Sequence, residues 1–426
     1  MSARAACCLV VFAVAAFAWC GSAQEESARF EIAAGVPEGL PRVTEVRALT
    51  QGPRAHFCSY YGVCPWNASG RYLVCMESDF DGREVRAGDA ARICLLDTVS
   101  GELRALATTR AWNFQQGSLT HWLGTAPDRR IIYNDCANGA AKSVILDVFS
   151  GDRRELPRAV SAVSHDGARA ACISYARLNK TRPGYGYPAV SESTTDDPHP
   201  DDDGLYVMDL ASGETHLIVT IDQVFHDQPP PEDRADDVMW FNHVLFSRDD
   251  SRIFFLARFK NPVGSLISAA YTVAPDGSGL RCVVPYAWNN SHFDWRNGRQ
   301  LMVSSRFEAG PKWLHVMLTD GLQDHRPVAP DVLNRDGHCH FSPDGRWLVS
   351  DSYPEGPRRM RRFFLGDMET EQVYEAARFH EPDTFKRDWR CDLHPRWSRD
   401  GKRVCIDSTH EGTRQVYVLE LAWPES

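Results

Sequence analysis

The sequence HCHFSPDGRWLVS, residues 338–350, contains the motif from which the fold can be predicted. A short polar turn of Ser, Asp and Gly leads into an apolar strand, and these turn residues tolerate left-handed backbone. The same pattern recurs in six other places, which predicts seven tight β-hairpins. The other six are NASGRYLVC (67–75), APDRRIIYN (126–134), SHDGARAACIS (164–174), SRDDSRIFFLA (247–257), WRNGRQLMVSS (295–305) and SRDGKRVCIDS (398–408).

A second set of hairpins alternates with the first along the chain. Two hairpins per repeat give four antiparallel strands, and repeats of roughly 40 to 60 residues built this way are typical of propeller blades. The second set is ICLLDTVSGELRALA (93–107), VILDVFSGDRRELP (144–157), LYVMDLASGETHLIV (205–219), AYTVAPDGSGLRCVV (270–284), LHVMLTDGLQDHRPV (314–328) and FFLGDMETEQVYEA (363–376).

The two ends of the chain complement each other. The strand QVYVLEL (415–421) has no partner after it, whereas TEVRALT (44–50) resembles ELRALAT (102–108), the outer strand of the first full repeat. Pairing the two ends would remove the open sheet edges. We therefore expect an all-β fold, a seven-bladed β-propeller of four-stranded antiparallel blades, closed by an N-terminal strand in the last blade.

The N-terminus predicts export. Arg4 precedes an apolar run (CCLVVFAVAAFAW) that ends in Gly21-Ser22-Ala23, as in a cleaved signal peptide, and the run is shorter than the ~20 residues of a membrane span. We expect a signal peptide at 1–23 and a periplasmic or secreted propeller at 24–426. An insertion at about 177–240 should lie over one face.

The net charge, the cysteines and the absence of certain motifs limit the classes of partner and activity that fit the chain. The net charge is −10 with interspersed signs and no basic run, which argues against nucleic acid or an anionic membrane as partner. The negative groups of an acidic substrate would have to be bound by individual arginines.

Neither a GxSxG elbow nor a phosphate-binding glycine loop is present, which excludes an appended serine-peptidase domain and disfavours nucleotide hydrolysis. An exported chain can form disulfides, and Cys58 with Cys64 is the most plausible local pair.

Histidines recur at one position of four consecutive repeats, just before the inner-strand turn, where a propeller presents residues at the mouth of its channel. A single strand-end histidine is usually a hydrogen-bonded structural residue, but four in register favour a site. Imidazole binds transition metals and also titrates near neutral pH, so the pattern suits metal binding or general-base catalysis. The residues are His243, His292, the pair His338 and His340, and His394 with Asp392 nearby.

Earlier segments add polar and aromatic candidates. AWNFQQGSLTHW (111–122) and SYARLNKTRPGYGYP (174–188) carry groups that could bind sugars or carboxylates, or could equally be a blade-packing motif and a rigid loop. The acidic DDPHPDDDG (196–204) lacks the ligand spacing of a calcium loop, and a solvated loop is the alternative. The candidates are Asn113, Gln116 and His121 in the first segment, and Arg177, Tyr185 and Tyr187 in the second.

The C-terminal third, residues 290–420, resembles the oligogalacturonate lyases, which are seven-bladed propellers that cleave uronate oligosaccharides by β-elimination. The motifs are SHFDWRNG (291–298), GHCHFSPDG (337–345) and LHPRWSRDGKRVCIDSTHEGTRQVYVLEL (393–421). The N-terminal half looks more like the wider group of propeller polysaccharide lyases that includes the ulvan lyases. By this resemblance, His292 falls on the catalytic histidine.

The resemblance also implies a metal site. His338 and His394 fall on ligands of a divalent metal, typically manganese, with zinc or calcium as alternatives and no organic cofactor. The family's last blade supplies one Gln and two His, and the matching positions here are Trp389, Asp392 and His394. Asp392 can supply an oxygen ligand, whereas Trp389 cannot ligate. A Tyr/His/Arg mechanism without a catalytic metal, as in ulvan lyases, is therefore the alternative to a metal-dependent mechanism.

The predicted function is a polysaccharide lyase that acts on a uronic-acid-containing glycan. A base, His292 or His243, removes the proton next to the carboxylate, and Tyr185 or Tyr187 serves as base or acid. A metal, Arg177 or Arg390 neutralises the carboxylate. Asn113, Gln116, His121 and Arg390 are expected to bind substrate. The alternatives are a non-catalytic propeller that binds glycan or protein and, less favoured because Asp392 has no evident carboxylate partner, a glycoside hydrolase.

Overall fold

The computed structural model describes residues 29–194, 196–228, 236–261 and 263–424, and the predicted signal peptide lies outside these ranges. Seven antiparallel sheets are arranged as the blades of a propeller, so the predicted fold is confirmed. Within the described ranges, no helix is both long enough and apolar enough to cross a membrane.

The strands, in chain order, are β1 (Phe30–Ile32), β2 (Arg42–Ala48), β3 (Ala55–Phe57), β4 (Tyr72–Ser78), β5 (Ala91–Asp97), β6 (Leu103–Thr109), β7 (His121–Trp122), β8 (Arg130–Ala137), β9 (Ala140–Asp147), β10 (Arg153–Leu156), β11 (Ala162–Val163), β12 (Arg169–Cys172), β13 (Gly204–Asp209), β14 (Thr215–Thr220), β15 (Trp240–Phe246), β16 (Ile253–Lys260), β17 (Leu266–Val273), β18 (Arg281–Val284), β19 (Asn290–Trp295), β20 (Gln300–Ser305), β21 (Leu314–Thr319), β22 (Arg326–Pro327), β23 (His340–Phe341), β24 (Trp347–Asp351), β25 (Met360–Asp367), β26 (Gln372–His380), β27 (Arg396–Trp397), β28 (Arg403–Ser408) and β29 (Gln415–Ala422). The helices are α1 (Tyr175–Thr181) and α2 (Ile221–Asp227), with short 3-10 turns at Tyr286–Trp288, Phe307–Ala309 and Arg387–Trp389.

Blades 1 to 6 are each built from four consecutive strands, from β3–β6 in blade 1 to β23–β26 in blade 6. Blade 7 takes strands from both ends of the chain, because β2 pairs antiparallel with β29 in the order β2-β29-β28-β27. The strand β1 adds a fifth, outermost strand to blade 6. The sheets pack face to face around the ring, and their apolar side chains fill the spaces between neighbouring blades.

The turn chemistry that marks the repeat in the sequence also shapes the hairpins. In blade 6, the Ser342 hydroxyl accepts a hydrogen bond from the backbone N–H of Trp347, and the Asp344 carboxylate accepts one from that of Arg346. Gly345 has a φ of +72°, and a Cβ there would lie 2.6 Å from the carbonyl oxygen of Arg296 in blade 5. Glycine is therefore required both for the turn and for the close approach of the neighbouring blade.

The stretch predicted as one insertion, 177–240, is not continuous. It contains β13 and β14, the outer half of blade 3, so the additional chain forms two segments, one between β12 and β13 and one between β14 and β15. The first segment carries α1 and Tyr185, and the second carries α2, which is capped at its N-terminus by Thr220 and Gln223.

The cysteines do not form the predicted local pair. Cys58 and Cys64 are both free thiols, and the Cys64 thiol donates to the carbonyl of Trp397 at 3.4 Å. The Sγ of Cys58 lies 3.9 Å from that of Cys405, in β28 of blade 7. Burial raises the pKa of the Cys58 thiol, which therefore packs as a small neutral side chain.

Candidate functional site

Two tyrosines from blade 1 enter the central channel. Tyr60 and Tyr61 lie in the loop between β3 and β4, with ring centroids 4.5 Å apart. The Tyr61 hydroxyl donates to the carbonyl of Phe293 and accepts from its N–H, both at 2.8 Å. On the other side, the buried guanidinium of Arg396 donates to the carbonyl of Tyr60 at 3.2 Å and pairs with Asp407 at 2.9 Å. The loop is thereby fixed to blades 5 and 7.

Three of the predicted histidines meet beside these tyrosines. The rings of His292 and His338 are 3.8 Å apart between centroids, and those of His338 and His394 are 4.4 Å apart. Tyr61 packs on His338 and Tyr60 on His394, each at 5.0 Å. All three residues are at most 3% exposed. The in-register histidines of blades 5, 6 and 7 therefore form one buried cluster.

Two carboxylates orient the imidazoles of this cluster. The Nδ1 of His292 lies 2.9 Å from Asp336, and the Nδ1 of His338 lies 2.8 Å from Asp351. Asp351 also accepts the backbone N–H groups of His338 and His394, at 2.8 and 3.1 Å. A carboxylate at Nδ1 leaves Nε2 available as a base or as a ligand.

Burial and charge determine the protonation states of His292 and Asp336. Burial lowers the pKa of His292 below its ordinary value, although the carboxylate of Asp336 opposes this effect. Burial alone would raise the pKa of Asp336, but the charge and hydrogen bond of His292 outweigh it and lower that pKa to about 2. Near neutral pH the pair consists of an ionised carboxylate and a neutral imidazole, which is the state a general base requires.

His338, Asp392 and His394 form the one group of three metal-ligating side chains among the residues that the structure describes, with one ligand atom from each lying within 4.8 Å of the others. The Nε2 atoms of both histidines are buried without a hydrogen-bond partner. Buried polar atoms are almost always satisfied, so these two nitrogens suit coordination of a metal ion. Two imidazoles and a carboxylate suit manganese or zinc, whereas calcium prefers oxygen ligands alone.

Asp392 is already held by two arginines. Its carboxylate lies 2.8 Å from Arg361 and 2.8 Å from Arg390. Burial would raise the pKa of Asp392, but the two guanidiniums outweigh burial and hold it well below the ordinary range. The carboxylate is therefore ionised, as a ligand must be. Trp389, the position that the resemblance aligns with a Gln ligand, is buried and donates its indole N–H to the carbonyl of Thr384 at 3.0 Å.

An open cleft of about 450 Å³ lies against this cluster, and we call it the arginine cleft. It contains five arginines and a single carboxylate, that of Asp336, so its lining is strongly positive although the whole chain is acidic. The lining residues are Arg182, Tyr185, His243, Arg258, Ser265, Leu266, Ser268, Asn289, Asn290, Ser291, His292, Arg306, Trp313, Asp336, Tyr353, Arg387 and Arg390.

Three of these arginines have no acidic partner. Within the described ranges, no carboxylate lies within 4.0 Å of the guanidinium of Arg258, Arg306 or Arg387. Arg258 is only 4% exposed, and its Nε donates to the Ser268 hydroxyl at 2.9 Å. Burial, with a smaller effect of the nearby Arg182, lowers the pKa of Arg258 to about 10. A buried, charged and unpaired guanidinium is costly unless an anion from outside completes it.

Two tyrosines line the same cleft. The Tyr185 hydroxyl accepts a hydrogen bond from Arg390 at 3.2 Å, and its ring contacts that of His243 at 5.3 Å. The ring of Tyr353 lies 6.4 Å from that of His292, and the Arg390 guanidinium lies 5.3 Å from the Tyr353 ring. Burial raises the pKa of Tyr353 well above its ordinary value, so its hydroxyl is a neutral proton donor.

Several predicted residues reach this site. His292, His243, Tyr185 and Arg390 line the arginine cleft. Burial and the charge of Arg258 lower the pKa of His243 well below its ordinary value, and this residue has a left-handed φ of +56°. Gln116 lies behind it, with its Nε2 3.5 Å from the Nδ1 of His243. Strained backbone at a non-glycine residue is typical of functional positions.

Four other predicted residues do not line the cleft. Arg177, in α1, donates to the carbonyls of Met239, Asp197 and Pro198 and so fastens the two additional segments together. Tyr187 stacks on Tyr175 at 4.3 Å and accepts from Asn134. Asn113 donates to the carbonyl of Tyr185 at 3.1 Å and thereby positions that residue. His121 and His340 line a different pocket, and burial lowers the pKa of His121 to about 3.

Sequence reasoning missed the residues whose partners are distant along the chain. Tyr60, Tyr61, Arg258, Asp336 and Tyr353 carry no repeat signature. One signal was available for Asp336, which stands two residues before His338 in the segment that carries the histidines of blade 6.

Comparisons with known proteins show the fold. No protein-family model matches the chain, and no curated protein matches it. An oligogalacturonate lyase from Vibrio parahaemolyticus superposes with a TM-score of 0.62 at 14% identity, over 92% of this chain and 96% of that chain. An oligogalacturonate lyase in complex with manganese gives 0.63 at 15% identity over the same shares. The tricorn protease gives 0.51 at 10% identity, over 88% of this chain and 35% of that chain. The predicted resemblance to oligogalacturonate lyases is thus confirmed for the propeller fold.

Proposed function

We propose that this protein is a polysaccharide lyase that cleaves a uronic-acid-containing glycan by β-elimination. The observation that carries the proposal is the placement of the His292–Asp336 pair and the unpaired Arg258 in one cleft. β-Elimination next to a carboxylate needs a base and a group that neutralises the carboxylate, and these residues supply both. The fold shared with oligogalacturonate lyases supports the same function.

Arg258 is assigned to the carboxylate of the reacting sugar. The proton at C5 is only weakly acidic while the neighbouring carboxylate is ionised, because its removal places further negative charge on the same group. A guanidinium that forms two parallel hydrogen bonds with that carboxylate stabilises this charge. Since Arg258 is buried and already desolvated, its field acts on the transition state with little screening by water.

His292 is assigned as the base. Asp336 holds Nδ1, so Nε2 is the nitrogen that accepts the C5 proton, and the imidazolium that forms is stabilised by the carboxylate at 2.9 Å. Tyr353, whose hydroxyl is neutral because burial raises its pKa, is assigned as the acid that protonates the departing oxygen at C4. Tyr185 is held by Arg390 on the same side of the cleft and orients the sugar.

The predicted divalent metal would be held by His338, Asp392 and His394. When bound, such a metal supplies positive charge that stabilises a developing carboxylate dianion. These three donors lie beside the arginine cleft and are not among its lining residues. The side chains that line the cleft therefore bind the sugar, exclude water and transfer the protons.

The test is an elimination assay. Purified protein is incubated with a panel of uronate polysaccharides, and the ultraviolet absorbance of the unsaturated product is followed. We expect product from at least one polymer, and its loss in His292→Ala but not in His226→Ala, which removes an exposed histidine of α2 outside the cleft. Binding without product from any polymer would contradict the proposal and favour the non-catalytic, glycan-binding propeller.

A further inference from the structure

We propose that Arg306 and Trp313 form a second binding subsite, for an acidic sugar next to the reacting one. The inference rests on the proposed function, since it takes the substrate to be a uronate oligosaccharide. Both side chains line the arginine cleft that contains His292. The Arg306 guanidinium lies 5.6 Å from the centre of the Trp313 ring, so a cation and an aromatic face are presented side by side.

The backbone fixes this pair relative to the base. The N–H of Arg306 donates to the carbonyl of Trp288 at 2.9 Å, and it lies 3.3 Å from that of Asn289. The Ser305 hydroxyl donates to the same Asn289 carbonyl at 2.9 Å. Because Ser305 at the end of β20 pairs with Asn290 at the start of β19, Arg306 follows directly beside the strand that carries His292.

The loop between Arg306 and Trp313 is held in a costly conformation. Glu308 and Ala309 have left-handed φ angles of +51° and +59°, which non-glycine residues rarely adopt. The ring of Phe307 packs edge-on against Trp288 at 5.1 Å and anchors the loop. Local strain that packing maintains is a recurring feature of ligand clamps.

The cleft offers cations for more than one acidic group of a ligand. Arg390 is paired with Asp392, and Arg182 lies 3.9 Å from Asp388. Arg258 is assigned to the reacting carboxylate. Arg306 still has no carboxylate within 4.0 Å in the described part of the chain. A sugar whose apolar face stacks on Trp313 would bring its own carboxylate to this guanidinium.

The experiment measures binding and turnover as a function of chain length. Galacturonate oligosaccharides from the monomer to the tetramer are titrated calorimetrically into the His292→Ala protein, with and without a second substitution, Arg306→Ala or Trp313→Ala. We expect each substitution to weaken tetramer binding by about 10- to 100-fold and monomer binding by less than about twofold. The tetramer affinity of Arg306→Lys should lie between those of the protein with Arg306 and the Arg306→Ala variant, because lysine keeps the charge and loses the bidentate geometry. Lys312→Ala, an exposed neighbour outside the cleft, is the matched control.

A parallel arm replaces the galacturonates with glucuronate-containing and sulfated oligosaccharides, which offer an acidic group on a different sugar. Equal losses for monomer and tetramer, or no loss in either variant, would overturn the subsite. No binding of any acidic oligosaccharide would overturn it as well. If oligosaccharide binding depends on Arg306 but the protein with its native His292 and Arg306 shows no elimination, the subsite stands and the lyase proposal fails. If elimination occurs with kcat/KM that is independent of Arg306, the lyase proposal stands and the subsite fails.

Discussion

Replacing Asp336 with Asn tests whether the His292 pair performs the proton transfer. Asn keeps the size of the side chain and an oxygen that can accept from Nδ1, but it removes the negative charge that lies 2.9 Å from the imidazole. In the ground state the imidazole is neutral, because burial lowers the pKa of His292. In the transition state it gains the C5 proton, so the carboxylate stabilises the transition state more than the ground state.

The size of the effect follows from that bond. A hydrogen bond to a charged partner contributes about 1.5–3 kcal/mol, and losing that much transition-state stabilisation lowers kcat by roughly 10- to 150-fold. KM should change little, because Asp336 interacts with the base rather than with a sugar. The charge and hydrogen bond of His292 lower the pKa of Asp336 to about 2, so the carboxylate is ionised near neutral pH.

Steady-state kinetics of elimination, with circular dichroism to verify folding, provide the measurement. Asp331→Asn is the matched control, because Asp331 is an exposed carboxylate in the same loop, five residues earlier. A loss confined to KM, an unchanged kcat, or an equal loss in the Asp331 variant would refute the assignment of His292 as the base.

Three further predictions address other parts of the site. Arg258→Lys should lower kcat/KM by roughly 10- to 100-fold, because a point charge replaces a bidentate contact with the carboxylate; equal activity of the variant in the elimination assay would contradict the assignment. Elemental analysis of protein purified in the presence of manganese should find about one metal per chain, and His394→Ala should lose it; equal metal content in the two proteins would argue against the triad. The free energy of unfolding should fall in acid partly because of His410, which is buried and whose pKa burial lowers to about 4. The neutral imidazole contributes its full stability at pH values above the ordinary histidine pKa, near 6.5. Below that pH the contribution decreases, by about 2 kcal/mol at about pH 5. Urea unfolding should therefore show a smaller loss between neutral and acidic pH for His410→Gln, and an unchanged loss would contradict this account.

The repeat could be predicted from sequence because its determinants are local. Ser342, Asp344 and Gly345 form the turn with neighbours only a few residues away, so the motif appears wherever the turn does. The meeting of His292, His338 and His394 could be predicted for a related reason. A propeller repeats one strand position around a common axis, so residues in the same phase of successive blades converge even though they are far apart along the chain.

The remaining parts of the site depend on contacts that no repeat encodes. Tyr60 and Tyr61 enter from blade 1 on a loop of its own length, and Arg258 stands within β16, where nothing in the sequence distinguishes it from other arginines. Arg177 and Tyr187 look like site residues because they are polar and lie in a Gly-rich segment. Their partners, three backbone carbonyls and the ring of Tyr175, become apparent only once the segment is folded.

The same imidazole–carboxylate pair occurs in two neighbouring blades, and its position decides its use. In blade 5, His292 lines the arginine cleft and Asp336 holds it. In blade 6, Asp351 holds His338, whose Nε2 is buried among the metal-ligating groups and does not reach the cleft. Only the first pair can meet a proton of a bound sugar. It follows that removing the imidazole of His292 should abolish elimination, whereas removing metal with a chelator should leave substrate binding through Arg258 intact. Calorimetry with and without chelator distinguishes carboxylate binding by Arg258 from binding by the metal. Loss of oligosaccharide binding on chelation would show that the metal held by His338, Asp392 and His394, rather than Arg258, binds the carboxylate.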